Sequence, residues 1–286
     1  MIFLKIYGVA FDRVGKVHKF FYDGEPLKRG EMVIAPSEYG VELGEIVKVE
    51  DVPEGEKPEK SIVRKATFED MDVQTQNEKD AKVALNISKE KVVEHDLPMK
   101  MLRAKYVLDR SKLVFFFSAD GRVDFRALVK ELATVFKTRI ELRQVGIRDA
   151  AKMIGGIGLC GMQTCCSRFE RDFKSITLKY AKAQQLMINP SKISGACGRL
   201  LCCLAFENDT YLEILKDIPD VGEKIEYEDT QYIVSELNIF RRILKAKSPE
   251  GKIIVLPFDE VLKITKKSHE DESDETKEDE ECDSSF

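Results

Sequence analysis

Apolar and polar positions change rhythm several times along the chain, and each change predicts an element. Ile2–Val9, Lys16–Tyr22, Met32–Pro36 and Val41–Val49 are rich in Val, Ile, Tyr and Phe, with Gly, Asp and Pro between them. They predict short strands in a small antiparallel β-barrel-like part. The polar Pro/Gly stretch 51–60 predicts a linker. Thr67–Glu94 has few breakers and predicts a long helix, stopped by Asp96-Leu97-Pro98. Lys100–Leu108 and Leu113–Ser118 predict a hairpin around Asp109–Lys112. Phe125, Leu128, Val129, Leu132, Val135 and Phe136 recur at helical spacing and predict a helix over Val123–Lys137, followed by a strand over Arg139–Val145. This helix–strand–strand–helix–strand order follows a strand at 41–49, which predicts a ferredoxin-like α/β sandwich.

Residues 146–206 are Gly- and Cys-rich, with a helix predicted over Ile176–Gln185 and another over Asn208–Ile218. Short strands return between Val221 and Leu262, with turn signals at Glu228-Asp229, Asn238 and Ser248–Gly251. The expected class is α+β. Residues 1–60 with 219–265 form one small β-rich domain, 61–150 the ferredoxin-like region and 151–210 a Cys-rich region of metal loops. Residues 266–286 are too acidic and too poor in apolar side chains to fold, and predict a disordered tail.

Charge sharpens this division. The formal net charge is −5, yet Glu270–Phe286 alone holds ten carboxylates and one Lys, and Lys100–Phe206 holds 20 Lys/Arg against 8 Asp/Glu. A basic middle before an acidic tail fits a polyanion partner such as RNA; a solvated basic surface fits equally well. Arg139, Arg143 and Arg148 are the candidate contacts to nucleic acid or a partner, the first two sharing one face of their strand. No run of about 18 apolar residues exists, so no membrane span is expected. The N-terminus lacks the basic–apolar–small order of a signal peptide, so the expected location is cytoplasmic, where thiols stay reduced.

That compartment changes the meaning of the cysteines. Six of the seven lie within 44 residues, in two copies of G-x-C-G-x-x-x-C-C: Gly158–Cys166 and Gly195–Cys203, 37 residues apart. Such repeats read as metal loops before disulfides or buried small hydrophobes. The flanking glycines permit tight turns. Adjacent side chains diverge, so each vicinal pair offers one ligand, giving Cys160, Cys197, one of Cys165/Cys166 and one of Cys202/Cys203. Four thiolates suit a [4Fe–4S] cluster or an all-cysteine zinc site. Gly155–Gly158 lacks the Lys-Ser/Thr of a phosphate loop and reads as part of the metal loop. His18, His95 and His269 are scattered and form no Cys–His set in sequence, and Cys282 stands apart in the tail.

The runs Ala119–Ala133 (ADGRVDFRALVKELA), Phe136–Gly158 (FKTRIELRQVGIRDAAKMIGGIG) and Asn189–Cys203 (NPSKISGACGRLLCC) resemble the YaaT (RicT) family, which carries the polymerase-suppressor-type (Psp) C-terminal domain. The resemblance spans about residues 1–262. It implies a cytoplasmic bacterial regulator, not a stand-alone enzyme. Such proteins join two small helical partners, YmcA-like and YlbF-like, in a complex that carries [4Fe–4S] clusters and acts with RNase Y in mRNA maturation, affecting sporulation, competence and biofilm growth. The family's cysteines map onto Cys160, Cys165, Cys166, Cys197, Cys202 and Cys203. Leu159 replaces an expected Pro, and Met162-Gln163-Thr164 replaces an Arg-Met-Leu-like stretch. Two other readings use the same cysteines: a zinc-stabilised nucleic-acid-binding protein, and a thiol redox enzyme working through the vicinal pairs.

Overall fold

The computed structural model describes residues 3–53, 58–172 and 175–264. The acidic tail, 266–286, lies outside them. The chain divides into two compact units: Met1–Ser175 with Ile193–Cys202, and Ile176–Lys192 with Cys203–Phe286.

The first unit opens with β1 (Phe3–Ala10), β2 (Val17–Phe21), β3 (Met32–Pro36), β4 (Val41–Pro53) and β5 (Arg64–Lys65), in the order β2-β1-β4-β3-β5. All pairs are antiparallel, and β1 carries a bulge at Gly8/Val9. Tyr7 and Val9 alternate inward and pack with Phe20, Val33 and Ile46. A single bridge from Phe21 to Ser61 brings the lead-in of β5 back to β2. The sheet is nonetheless open, not the expected barrel, because β5 is two residues long and offers no ladder to close it.

Helix α1 (Phe68–Glu94) starts where Thr67 and Asp70 cap each other's backbone. Arg64 grips both Asp70 oxygens, at 2.5 and 2.9 Å, and with the capping bonds this holds the carboxyl well below the usual carboxylate range. The helix buries Asn77, Ala81, Ala84, Ser88 and Val92, a stripe of mostly small side chains that admits close packing. The strands β6 (Lys100–Tyr106) and β7 (Lys112–Ser118) form the predicted hairpin, and α2 (Arg126–Phe136) crosses over to β8 (Arg139–Gln144), parallel to β7. Leu113, Phe115 and Phe117 of β7 face Leu128 and Leu132 of α2, while Val114 and Phe116 are buried on the opposite face. This explains the unbroken apolar run of β7: both of its faces are covered.

The ferredoxin-like expectation needs a correction. The sheet has three strands, β6-β7-β8. The segment expected as its fourth strand is β4, which lies between β1 and β3 in the five-stranded sheet and buries Ile46 there. The two sheets meet through a buried ion pair, Glu42 of β4 to Lys105 Nζ of β6 at 2.7 Å, a charge contact without hydrogen-bond alignment at Oε1.

After β8 come α3 (Ile147–Ile154), α4 (Cys165–Arg168), α5 (Leu178–Ala183), α6 (Pro190–Ile193) and α7 (Cys202–Leu215). The second unit carries a meander of β9 (Lys224–Tyr227), β10 (Thr230–Asn238), β11 (Ile243–Lys247) and β12 (Ile253–Pro257), in the order β12-β11-β10-β9, and residues 258–264 after it are helical. Glu228 and Asp229 both have positive φ, at 48° and 59°, and make the tight β9–β10 turn. Tyr232, Val234, Leu244, Ala246, Leu256 and Phe258 form this unit's own core. The strands of 224–257 therefore belong to a sheet separate from that of residues 3–65.

Candidate metal centre

The two sequence repeats are one structure built twice. In the first, Gly158 N–H donates to Met162 O (2.8 Å), Gly161 N–H to Gly158 O (3.0 Å) and Thr164 N–H to Gly156 O (3.0 Å). In the second, Gly195 N–H donates to Arg199 O (2.7 Å), Gly198 N–H to Gly195 O (2.9 Å) and Leu201 N–H to Ile193 O (2.9 Å). Single bridges, Ile157 to Gln163 and Ser194 to Leu200, complete each small hairpin. Every bond recurs at the 37-residue shift.

Each turn depends on its closing glycine. Gly161 and Gly198 have φ of 76° and 72°, in the left-handed region that a Cβ penalises. The residue before each is the turn cysteine, Cys160 or Cys197. Its thiol folds back over the leading glycine: a Cβ built on Gly158 would lie 3.4 Å from Cys160 Sγ, and one on Gly195 3.9 Å from Cys197 Sγ. The vicinal pairs open helices, Cys165-Cys166 in α4 and Cys202-Cys203 in α7.

The first unit gathers five of these six thiols. Cys165 is pushed up, first by burial and then by the neighbouring Cys160, Cys166 and Glu170. Cys202 is pushed up to about 11, mainly by burial, with Cys166, Cys165 and Cys197 adding to the rise and the positive charge of Arg148 opposing it. A hydrogen bond ties the second hairpin to the helix that leads into the first: Arg148 of α3 donates to Leu200 O at 3.2 Å. Cys166 is 6% exposed, Cys160 is exposed, and none of the six is disulfide-bonded. Cys203 falls in the second unit, where its charge acts on Tyr211.

The three arginines singled out from sequence lie in different settings. Arg139 is exposed on β8. Arg143 shares that strand face but binds Glu141 (2.7 Å) and Glu38 (3.3 Å), with its guanidinium 4.8 Å from the Tyr39 ring centre. Arg148, on α3, donates from Nη2 to Leu200 O at 3.2 Å, at the base of the second hairpin. Sequence reasoning missed α3 itself; its signal is the apolar spacing of Ile147, Ala150, Ala151 and Ile154 after Gly146.

The donor set fits thiolate ligation of a soft or borderline metal. A single ion needs its sulfurs about 2.3 Å from one point. Among the described residues no group of three or more His, Cys, Asp or Glu side chains closes in that way. No helix among them is long and apolar enough to cross a membrane.

Residues 60–145 match the PSP1 C-terminal conserved region, and 175–218 match the third domain of PSP1-like proteins. An uncharacterized protein of Schizosaccharomyces pombe is 43% identical over 81 residues, 28% of this chain and 11% of its own length. Protein PSP1 of Saccharomyces cerevisiae is 48% identical over 46 residues, 16% of this chain and 6% of its own. No solved structure matches the chain. Stage 0 sporulation protein YaaT of Bacillus subtilis is 43% identical over 261 residues, covering 90% of this chain and 95% of that protein. With the PSP1 region in place and that identity running almost end to end, the chain belongs to the YaaT family.

Proposed function

We propose that this protein is a non-enzymatic adaptor subunit that holds a [4Fe–4S] cluster on its two cysteine hairpins and regulates sporulation. In this reading it acts in a cytoplasmic complex with YmcA-like and YlbF-like partners, assists RNase Y in mRNA processing, and influences competence and biofilm growth. The observation that carries the proposal is the bond-for-bond repeat of the two hairpins, with their thiols acting on one another inside one unit. The sporulation role follows the relative that matches over nearly its whole length. A polynuclear cluster also spaces its thiolates more widely than one zinc ion does, which suits thiols that are neighbours without meeting at a point.

Cys160 and Cys197, the single cysteines of their turns, would hold the cluster, with one member of each vicinal pair. When bound there, the cluster would supply an oxygen- and redox-sensitive link between segments 37 residues apart. The chain's own part is to orient the thiols. The glycine turns aim Cys160 and Cys197, and the helix starts fix the vicinal pairs. Purification without air, with iron and sulfide analysis and a visible spectrum, tests the proposal. The expected protein is brown, and Cys160→Ser or Cys197→Ser loses most of its iron. A colourless protein holding zinc overturns the cluster in favour of a zinc-stabilised nucleic-acid binder. Turnover with a dithiol in metal-free protein overturns it in favour of a redox enzyme.

A further inference from the structure

We propose that Arg148 is the positioning residue of the cysteine site: one guanidinium braces the second hairpin against the helix that leads into the first, and supplies the positive charge beside the gathered thiols. The inference rests on the cluster reading above and goes beyond it by assigning a role to a residue that carries no ligand atom.

The geometry begins with α3. Its last residue, Ile154, is followed by Gly155 and then by Gly156, the first hydrogen-bonded residue of hairpin one. Arg148 near its start reaches Leu200 O, 52 residues away, and Leu200 is the bridge partner of Ser194 two residues before Cys202. Lys152 stands one turn further along the same helix face. It donates to Glu170 O at 3.4 Å, just after α4, which carries Cys165 and Cys166. The helix is thus a strut with one cationic brace to each half of the site. Each brace reaches a backbone carbonyl, which fixes the course of the chain on either side of the thiols.

The choice of Arg follows from what the position demands. The Nε atom of Arg148 is buried. The residue as a whole is half-buried, and a guanidinium partly withdrawn from water is favoured where acceptors and negative charge lie near it; a set of thiolates on a cluster is strongly anionic. Its planar fork can donate to the Leu200 carbonyl while its delocalised charge stays near Cys202, two residues further on, whereas a Lys ammonium is a single point on a flexible stem. The lowering effect of Arg148 on the Cys202 thiol agrees with that placement.

The test uses full-length protein purified without air as wild type, Arg148→Met, Arg148→Lys and, as a control, Arg126→Met, whose side chain is exposed on α2. Iron and sulfide per chain, the rate of iron loss to a chelator, the reduction potential and the melting temperature are measured. Removing residues that orient metal ligands costs about 10- to 100-fold in metal affinity. Arg148→Met is expected to lose iron at least about tenfold faster, in keeping with that range. What iron it keeps should have a more negative potential, because reduction adds negative charge where a positive one has gone. Arg148→Lys should keep the wild-type potential but release iron faster, and Arg126→Met should match wild type in both. A purely structural role would lower the melting temperature and leave the potential unmoved, which overturns the proposal. Wild-type retention and potential in Arg148→Met overturn it too, while the cluster reading stands. If Arg148→Met does not fold, the chelator rate of Arg148→Lys decides, and a rate equal to wild type overturns the proposal. A wild-type protein without iron and sulfide removes the cluster reading and this inference with it.

Discussion

The sandwich around β7 and the pair of cysteine hairpins share one unit but are held together by different forces. Around β7, aromatic and aliphatic side chains leave water completely: Leu113, Phe115, Leu128 and Leu132 are 0% exposed. In the first hairpin the large apolar side chains face outward, Leu159 at 70% and Ile157 at 67% exposed, while Cys166 behind it is buried. The sandwich gains its order from hydrophobic burial. The hairpins keep theirs through backbone hydrogen bonds, two strained-for-others glycines and braces from α3. Local geometry can therefore be exact where the local core is nearly absent, and such a region stays open to further stabilisation by whatever its thiols bind.

Truncation is the strongest way to break this comparison. Phe115→Ala opens a cavity in the sandwich and should cost about 3–5 kcal/mol. Leu159→Ala removes an exposed side chain and should stay within about 0.5 kcal/mol. Urea denaturation of the two variants would reveal it; equal losses would mean that the hairpin has a core of its own. Smaller effects come from the turns. Gly161→Ala and Gly198→Ala place a Cβ in the left-handed region at a cost of about 1–2 kcal/mol each. Because the turns match bond for bond, the two losses should agree, and amide exchange should speed up at Gly158 or Gly195 before it does in β7. A large difference between them would show that the repeats are alike in shape but not in stability.

The smallest effect separates the regions by pH. His18 on β2 lies below the usual imidazole range, first through burial and then through Lys60 and Lys16, with Glu38 opposing. Its folded form resists protonation, so the unfolded chain binds the proton more readily. Stability from this residue is present above the unfolded value of about 6.5 and is lost as pH falls below it toward the folded value. His18→Gln should flatten the slope of melting temperature against pH in that window. The five-stranded sheet should carry the slope, and probes in the hairpins should not follow it.

Much of the fold was legible because burial leaves a periodic trace. The spacing of Leu128 and Leu132 marked α2, the apolar run Leu113–Phe117 marked a strand of a hairpin, and Glu228-Asp229 marked a turn. Partner choice was less legible. The segment 41–49 reads as a strand in any sheet, and only the face it buries with β1 and β3 assigns it. The start of α7 was hidden because Cys202-Cys203 reads as a metal loop rather than as a first helical turn; the helix begins six residues before the predicted Asn208. The repeat was plain in sequence, and so was its use of glycine. The part played by Arg148 was not, since its partner is a backbone carbonyl, which every residue carries and no motif announces.

The order in which the chain visits its two units has a consequence for synthesis. It leaves the first unit after Ser175, contributes 176–192 to the second, returns for 193–202 and leaves again. A ribosome that has released everything up to Ser175 has therefore delivered one hairpin without its twin. The sandwich can close at that stage, since its strands and helices are complete by Gln144. The cysteine site must wait, with Cys160 already outside, until Cys202 emerges. For the same reason no single cut yields either unit whole. A fragment ending at Ser175 lacks the second hairpin, and one beginning at Ile193 lacks the segment that the second unit borrows from between the hairpins.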